Sequence, residues 1–449
     1  MNILDTRIPD IGKPRVIIIG GGFAGLELVK ALRHTDVQVV LFDKQNHHTF
    51  QPLLYQVATS GLETTSIVYP FRKKFGRQGN FYFRLGEVIS IDIAENRIQT
   101  SVGSLHFDYL IIATGTVTNF HGMQDIAEHG YSLKTIQDAV ALRNRIIKNF
   151  ELALLAPDDE SRNAYMDYVI VGGGPTGVEV AGALAELKNR IFPKDYPELN
   201  LLEMDIHVVE NGERLLGVMS EPASIKSKQF LERMGVTIHL KSRIISYDGN
   251  TATFQDGTKM RTKTLIWAAG VTGKPIEGFP KEVIVRGNRL KVNQFSQVEG
   301  CENVFAIGDI GAMISEETPY GHPQLAPPAM QQAHVLAKNL KNKLKGKPMK
   351  PFKYNDKGSM ATVGRNRAVV DLKQFKFQGL IAWFVWMFIH LLMIVGFRNR
   401  FLVLFSWMWS YFSYDRSNRL IIGSLGQEDY LKIEKEEKQD EEDKKQEKI

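Results

Sequence analysis

Arg15–Leu32 reads RVIIIGGGFAGLELVKAL. Apolar β-formers, Val16 to Ile19, run into the pattern G-x-G-x-x-G at Gly20, Gly22 and Gly25, and apolar residues at helical spacing follow. A strand that turns sharply into a helix needs glycine at the turn. It needs a second glycine where the backbone approaches a pyrophosphate, and a third where helix and strand touch. The helix start then offers unpaired N–H groups and a partial positive charge to phosphate. One such turn alone is a weak signal.

The layout returns at Tyr168–Leu187, YVIVGGGPTGVEVAGALAEL, with Gly172, Gly174 and Gly177. Each copy is followed by an acid closing the next predicted strand. Asp43 stands 18 residues past Gly25, and Glu210 stands 33 past Gly177. The insertion KNRIFPKDYPELNL explains the longer gap. A carboxylate there accepts hydrogen bonds from a ribose diol and repels a 2′-phosphate, so the second turn is expected to prefer NADH over NADPH. The fold class expected is α/β, with two Rossmann-like dinucleotide-binding domains.

Three more fragments fit this scheme: DYLIIATGT (Asp108–Thr116), KTLIWAAGV (Lys263–Val271) and NVFAIGDIG (Asn303–Gly311). Their order resembles the flavoproteins with two dinucleotide-binding domains, the pyridine nucleotide-disulfide reductase-like superfamily. The resemblance implies FAD on the first turn, at Gly20, Gly22, Gly25, Asp43, Lys44, Val88, Ala113, Gly308, Asp309 and Ala329. Asp309 would bind the ribityl chain. It implies NADH on the second turn, at Gly172, Gly174, Gly177, Glu179, Glu210 and Gly270. The FAD domain is then discontinuous, with parts at 1–120 and 297–365 flanking an NADH domain at 121–296. The stretch ALLAPDDESRNAYMDY reads as a linker before the second turn.

Composition narrows the chemistry. At 449 residues, 43% apolar and 24% charged, the chain has the make-up of a multidomain globular protein, and its net charge of +6 is too diffuse for a nucleic-acid partner. Cys301 is the one cysteine, so an internal disulfide, a Cys-x-x-Cys pair and a cysteine-rich metal site are all excluded. His47 and His48 have no second ligand cluster beside them in the sequence, and no metal is expected. The first residues lack the apolar region of a signal peptide, and a reducing, cytoplasmic setting is expected.

The missing cysteines also argue against disulfide reduction and cysteine-based sulfide oxidation. HHTFQPLLYQVATSGL, GGGPTGVEVAGALAEL, QLAPPAMQQAHVLAKNL and the stretch IAWFVWMFIHLLMIVGFRNRFLVLFSWMWSYF resemble the type II NADH dehydrogenases, which reduce quinone without pumping protons. This resemblance runs from about Arg15 to about Ile422. It implies that Glu179 faces nicotinamide and flavin, that Gln51–Gln56 line the flavin and quinone slot, and that the protein is a homodimer. The family's quinone motif A-Q-x-A-x-Q stands here as Ala326-Pro327-Pro328-Ala329-Met330-Gln331, so the resemblance implies a catalytic contact to the quinone head from Gln331, the second glutamine, while Pro327 replaces the first. Proline suits a first helical turn, and a helix is expected to start near Pro328.

The run Gln378–Phe397 lacks formal charge and is long enough to cross a bilayer. The next run, Phe401–Tyr414, is too short to return. Four of the five tryptophans (Trp383, Trp386, Trp407, Trp409) fall in these runs. Cations flank them: Lys373, Lys376, Arg398, Arg400, Arg416 and Arg419. Tryptophan and cations together suit helices lying at the headgroup boundary, so 366–425 is expected to be a monotopic surface on the cytoplasmic face of the cell membrane. A buried core and a true span remain alternatives. His390, inside the run, reads as a packing residue, and the mixed-charge tail 426–449 receives no function. Two other functions stay open: a redox sensor that binds NADH without turnover, and a soluble NADH-linked reductase.

Overall fold

The computed structural model describes residues 6–413, 416 and 418–422; the charged tail lies outside them. The chain forms two compact units. The first comprises the described residues to Thr49, then Val68–Val117 and Val271–Lys357. The second comprises Phe50–Ile67, Thr118–Gly270 and the described residues from Gly358 onward.

Each unit is built on a five-stranded parallel sheet with the glycine-turn strand at its centre. In the first unit the order is Val304–Ala306, Tyr109–Ile112, Arg15–Ile19, Gln38–Asp43, Phe81–Leu85. In the second it is Tyr131–Ser132, Thr264–Trp267, Tyr168–Val171, Ile206–Glu210, Val236–Leu240. Both central strands are almost wholly buried, which explains their unbroken apolar runs. Ile17 and Leu110 join Val283, Leu290 and Val292 in one core, while Val169 and Val209 join Ile244 and Phe254 in the other. Each such side chain contributes roughly 1.5–3 kcal/mol on burial.

The observed boundaries differ from 1–120, 121–296 and 297–365. The chain returns to the first unit at Val271, because Val283 and Leu290 are core residues there and Arg289–Val292 pairs with Gly311–Met313. Phe50–Ile67 belongs to the second unit, where helix Leu54–Ala58 packs on helices Ile136–Ala153 and Pro175–Glu186. The region after Gly358 is not a separate body. Strand Ser359–Thr362 pairs with Ala368–Asp371 and packs on Pro175–Glu186. The stretch read as a linker holds a helix, Asp159–Met166, capped by Asp158, whose carboxylate accepts from the Ser161 N–H at 2.8 Å.

The C-terminal aromatic stretch divides into helices Leu380–Met393 and Phe397–Ser413, with Gly396 at φ +89° between them. Fourteen residues of helix reach only about 21 Å, short of a hydrocarbon core. Among the described residues no helix is long and apolar enough to cross a membrane. Both helices are two-faced. Ala382 and Trp386 are buried, as is Val403, while Ile381, Phe384, Phe388, Phe401, Phe405 and Phe412 are exposed. Two of the flanking cations do not face outward. Arg416 pairs with Glu186 and Arg419 with Asp195, because these carboxylates of the second unit draw them in.

Candidate active site

The two glycine turns repeat one geometry. Gly20 has φ +101° and Gly172 φ +109°, a left-handed region open to glycine at little cost. A Cβ on either would strike the carbonyl of the neighbouring strand end, Ala113 or Ala268. A Cβ on Gly25 or Gly177 would strike the carbonyl of Gly20 or Gly172, so the third glycine sets how closely helix and strand approach. Gly22 and Gly174 are different: nothing lies within 4 Å of where their side chain would project. Each is also the residue at which a helix begins, Phe23–Ala31 or Pro175–Glu186. That open backbone at a helix start fits a pyrophosphate.

The acids sit where the repeat places them. Asp43 accepts from the N–H of Gly21 at 2.6 Å and of Gln45 at 2.7 Å. Glu210 accepts from Gly173 at 2.6 Å and Gly212 at 2.6 Å. Burial raises the Asp43 carboxyl above its ordinary range despite those bonds and the nearby His47 and Lys44. Gly308, at φ +73°, packs against Ala24 and Ala329, which brings the G-D turn, the first-turn helix and helix Ala326–Lys343 together. The Thr116 hydroxyl donates to Asp309 at 3.3 Å. In the second unit Gly270 has φ +140°, and its carbonyl accepts from Asn119 at 3.1 Å.

Some expected site residues have other partners. Lys44 is ion-paired with Glu87, and Val88 is buried in the first core. Helix Ala326–Lys343 does carry Pro327 and Pro328 in its first turn. The Gln331 amide, however, is engaged at both ends by the Asn355 backbone, donating at 3.0 Å and accepting at 3.0 Å. His48 places Nδ1 3.0 Å from the Gly21 carbonyl and meets Phe23 edge-on, and burial lowers its pKa to about 4. His390 stacks on Trp386 at 4.1 Å, and its Nδ1 meets the Trp386 carbonyl at 2.8 Å.

The second unit holds a cavity of about 490 Å³. Its lining comes from Phe230 and four stretches far apart in sequence: Tyr55–Gly61, Glu179–Ile191, Thr362–Arg367 and Trp383–Arg416. Glu179 lines it and is otherwise enclosed by protein. Burial pushes its carboxyl up to about 8, against the lowering effect of a Thr362 backbone hydrogen bond. Tyr55 is raised well above its ordinary value, first by burial and then by Glu179. Trp383, Trp386, Trp407 and Tyr411 supply aromatic walls. At the C-terminal end of helix Pro175–Glu186, the Glu186 carboxylate accepts from the Arg365 N–H and from Arg416, and the Arg365 guanidinium lies 4.0 Å from the Tyr411 ring. The sequence marked Glu179 and the Tyr55–Gln56 loop. It had no signal for Glu186, Arg365 or Arg416 as neighbours, since they meet only through packing.

Comparisons with known proteins agree with this geometry. The family described as pyridine nucleotide-disulphide oxidoreductase matches residues 14–333, and the NDH2 C-terminal domain matches 357–414. The type II NADH:quinone oxidoreductase NdhA of Mycobacterium tuberculosis is 35% identical over 431 residues, covering 92% of this chain and 90% of that protein. A type II NADH:quinone oxidoreductase of Staphylococcus aureus is 28% identical over 366 residues, covering 80% and 89%. The structure of NDH2 from Plasmodium falciparum in complex with NADH shares the fold, with TM-score 0.83 at 21% identity over 92% of this chain and 100% of that one. The chain therefore belongs to the pyridine nucleotide-disulphide oxidoreductase family and, within it, to the type II NADH:quinone oxidoreductases, enzymes that use FAD to pass electrons from NADH to quinone.

Proposed function

We propose that NADH lies on the Gly172–Gly177 turn, that FAD lies on the Gly20–Gly25 turn, and that quinone is reduced in the aromatic cavity beside Glu179. The observation that carries this reading is helix Pro175–Glu186. It begins at the open nucleotide turn, presents Glu179 to the cavity in its second turn, and ends at Glu186 on the same cavity. Bound FAD supplies the two-electron chemistry that links the two substrates.

The chain's own groups bind, orient and hold protons. Glu210 orients the ribose diol while keeping the glycine turn in shape. The tryptophan walls exclude water from the quinone head. Below about pH 8 Glu179 holds a proton on its carboxyl, available to the quinone oxygen as electrons arrive. The exposed faces of helices Leu380–Met393 and Phe397–Ser413 rest on lipid, the phase in which long-tailed quinones dissolve. Attachment to the cytoplasmic face and a homodimeric state follow from the family resemblance.

Anaerobic stopped-flow with the purified holoenzyme tests the reading. NADH should bleach the flavin faster than NADPH, and a short-chain quinone should restore its colour. Bleaching without re-oxidation would replace this reading with the sensor.

A further inference from the structure

We propose that Trp407 and Gln56 are positioning residues for quinone reduction: they hold the Tyr55 hydroxyl so that its single hydrogen is presented to the substrate oxygen in the cavity. The inference rests on the quinone reading of that cavity.

The two ends of a glutamine side chain have nearly the same shape, and its partners decide which is which. The Trp407 indole Nε1 can only donate, and it lies 2.8 Å from Gln56 Oε1. The oxygen end is thereby settled. The other end, Nε2, lies 2.9 Å from the Tyr55 hydroxyl. An amide nitrogen can only donate, so the phenol oxygen accepts, and its own hydrogen must point elsewhere. Tyr55, Gln56, Trp407 and Glu179 all line the cavity.

Tyr55 is 6% exposed, and burial together with Glu179 raises its pKa well above the ordinary value. It keeps its hydrogen at any working pH and acts as a donor rather than an acid. A neutral donor aimed before the substrate arrives stabilises charge developing on the quinone oxygen without reorganisation. Trp407 lies on the helix that also exposes Phe405, Met408, Trp409 and Phe412. The setting of that helix therefore reaches the Tyr55 hydroxyl through two hydrogen bonds, and the reacting oxygen through a third.

The test uses full-length holoenzyme reduced anaerobically with NADH and mixed with a short-chain quinone. Tyr55→Phe is expected to slow flavin re-oxidation roughly tenfold, the loss of one well-placed donor, with reduction by NADH unchanged. Gln56→Glu keeps an acceptor for the indole but offers the phenol an acceptor as well, so the hydrogen turns away. It should match Tyr55→Phe although the hydroxyl remains. Trp407→Phe frees the amide to rotate and should slow re-oxidation severalfold. In the double variant with Tyr55→Phe it should add nothing further. Difference infrared spectra of oxidised enzyme with bound quinone give a second readout. The carbonyl band should lie at lower frequency in the native protein and return upward in Tyr55→Phe and Gln56→Glu. Retained flavin colour and a normal NADH reduction rate report folding, and Gln56→Glu decides the matter where Trp407→Phe does not fold. Native-rate re-oxidation in Tyr55→Phe, or losses at 55 and 407 that multiply, would overturn the relay while leaving the quinone reading intact. Native enzyme that no quinone re-oxidises would overturn both.

Discussion

Glu210 accepts a hydrogen bond from the backbone N–H of Gly173 at 2.6 Å, the same contact, at the same 2.6 Å, that Asp43 makes with Gly21 in the first unit. The acid that ends each second strand thus braces the glycine turn. Glu210→Arg removes both the repulsion of a 2′-phosphate and the brace. Its preference for NADH over NADPH should fall by at least tenfold, read as the ratio of kcat/KM values. Thermal stability should drop as well, because the Gly173 N–H loses a charged partner, a loss of about 1.5–3 kcal/mol.

Gly174 is the position where binding and folding separate. With φ −72° and open space beyond it, Gly174→Val is tolerated by the backbone but occupies the room a pyrophosphate needs. KM for NADH should rise tenfold or more. Melting temperature and flavin content should stay within error, checked by calorimetry and absorbance.

Glu179 sets a pH dependence whose sign follows from its direction of shift. Its folded pKa of about 8 lies above the ordinary 4.5. Below about pH 4.5 it is protonated in both states. As pH rises from there toward 8 the unfolded chain ionises while the folded one does not, and stability is lost across that window. Glu179→Gln cannot ionise. Its melting temperature relative to the native protein should therefore climb between pH 5 and 8 and level off above. Its re-oxidation by quinone should slow at least tenfold and lose its dependence on pH near 8.

Arg416 closes the cavity from the far end of the chain. It pairs with Glu186 and donates to the Thr59 carbonyl at 3.0 Å, and both carboxylate and guanidinium are largely buried. Arg416→Ala takes the guanidinium away from that carboxylate. A loss of about 2 kcal/mol is expected, seen as a lowered urea midpoint, together with a raised KM for quinone.

The outward aromatic faces make a lipid-binding prediction independent of catalysis. Phe388 is 61% exposed and Phe401 58%. Replacing both by aspartate should weaken sedimentation with anionic vesicles by at least a hundredfold, since each phenylalanine inserted contributes roughly 1.5–3 kcal/mol. Turnover with a water-soluble quinone should persist. Unchanged vesicle binding would place the membrane contact elsewhere.

Both nucleotide turns were legible because their constraints are local. Gly20 and Gly172 need positive φ, Gly25 and Gly177 need a missing Cβ against a carbonyl five residues back, and an acid closes the next strand. The aromatic stretch was legible as something other than a span because its tryptophans and flanking cations are read directly from the sequence, and among the described residues no helix is long and apolar enough to cross a membrane. The domain boundaries were less so. Leu290 looks like any strand residue until it is seen beside Ile17, and Phe50–Ile67 until its helix is seen on Pro175–Glu186. Gln331 carried the family pattern, yet its amide is taken up by Asn355.

What the sequence determined by itself is everything set within a few residues along the chain: two phosphate-ready turns, their marking acids, and a tryptophan-rich pair of two-faced helices. What only the tertiary structure decided is the cavity and its electrostatics. Tyr55, Glu179, Arg365 and Arg416 have no spacing that links them. The reason is physical: a backbone turn is governed by its immediate neighbours, whereas the cost of charging a carboxyl depends on whatever distant segments exclude water around it.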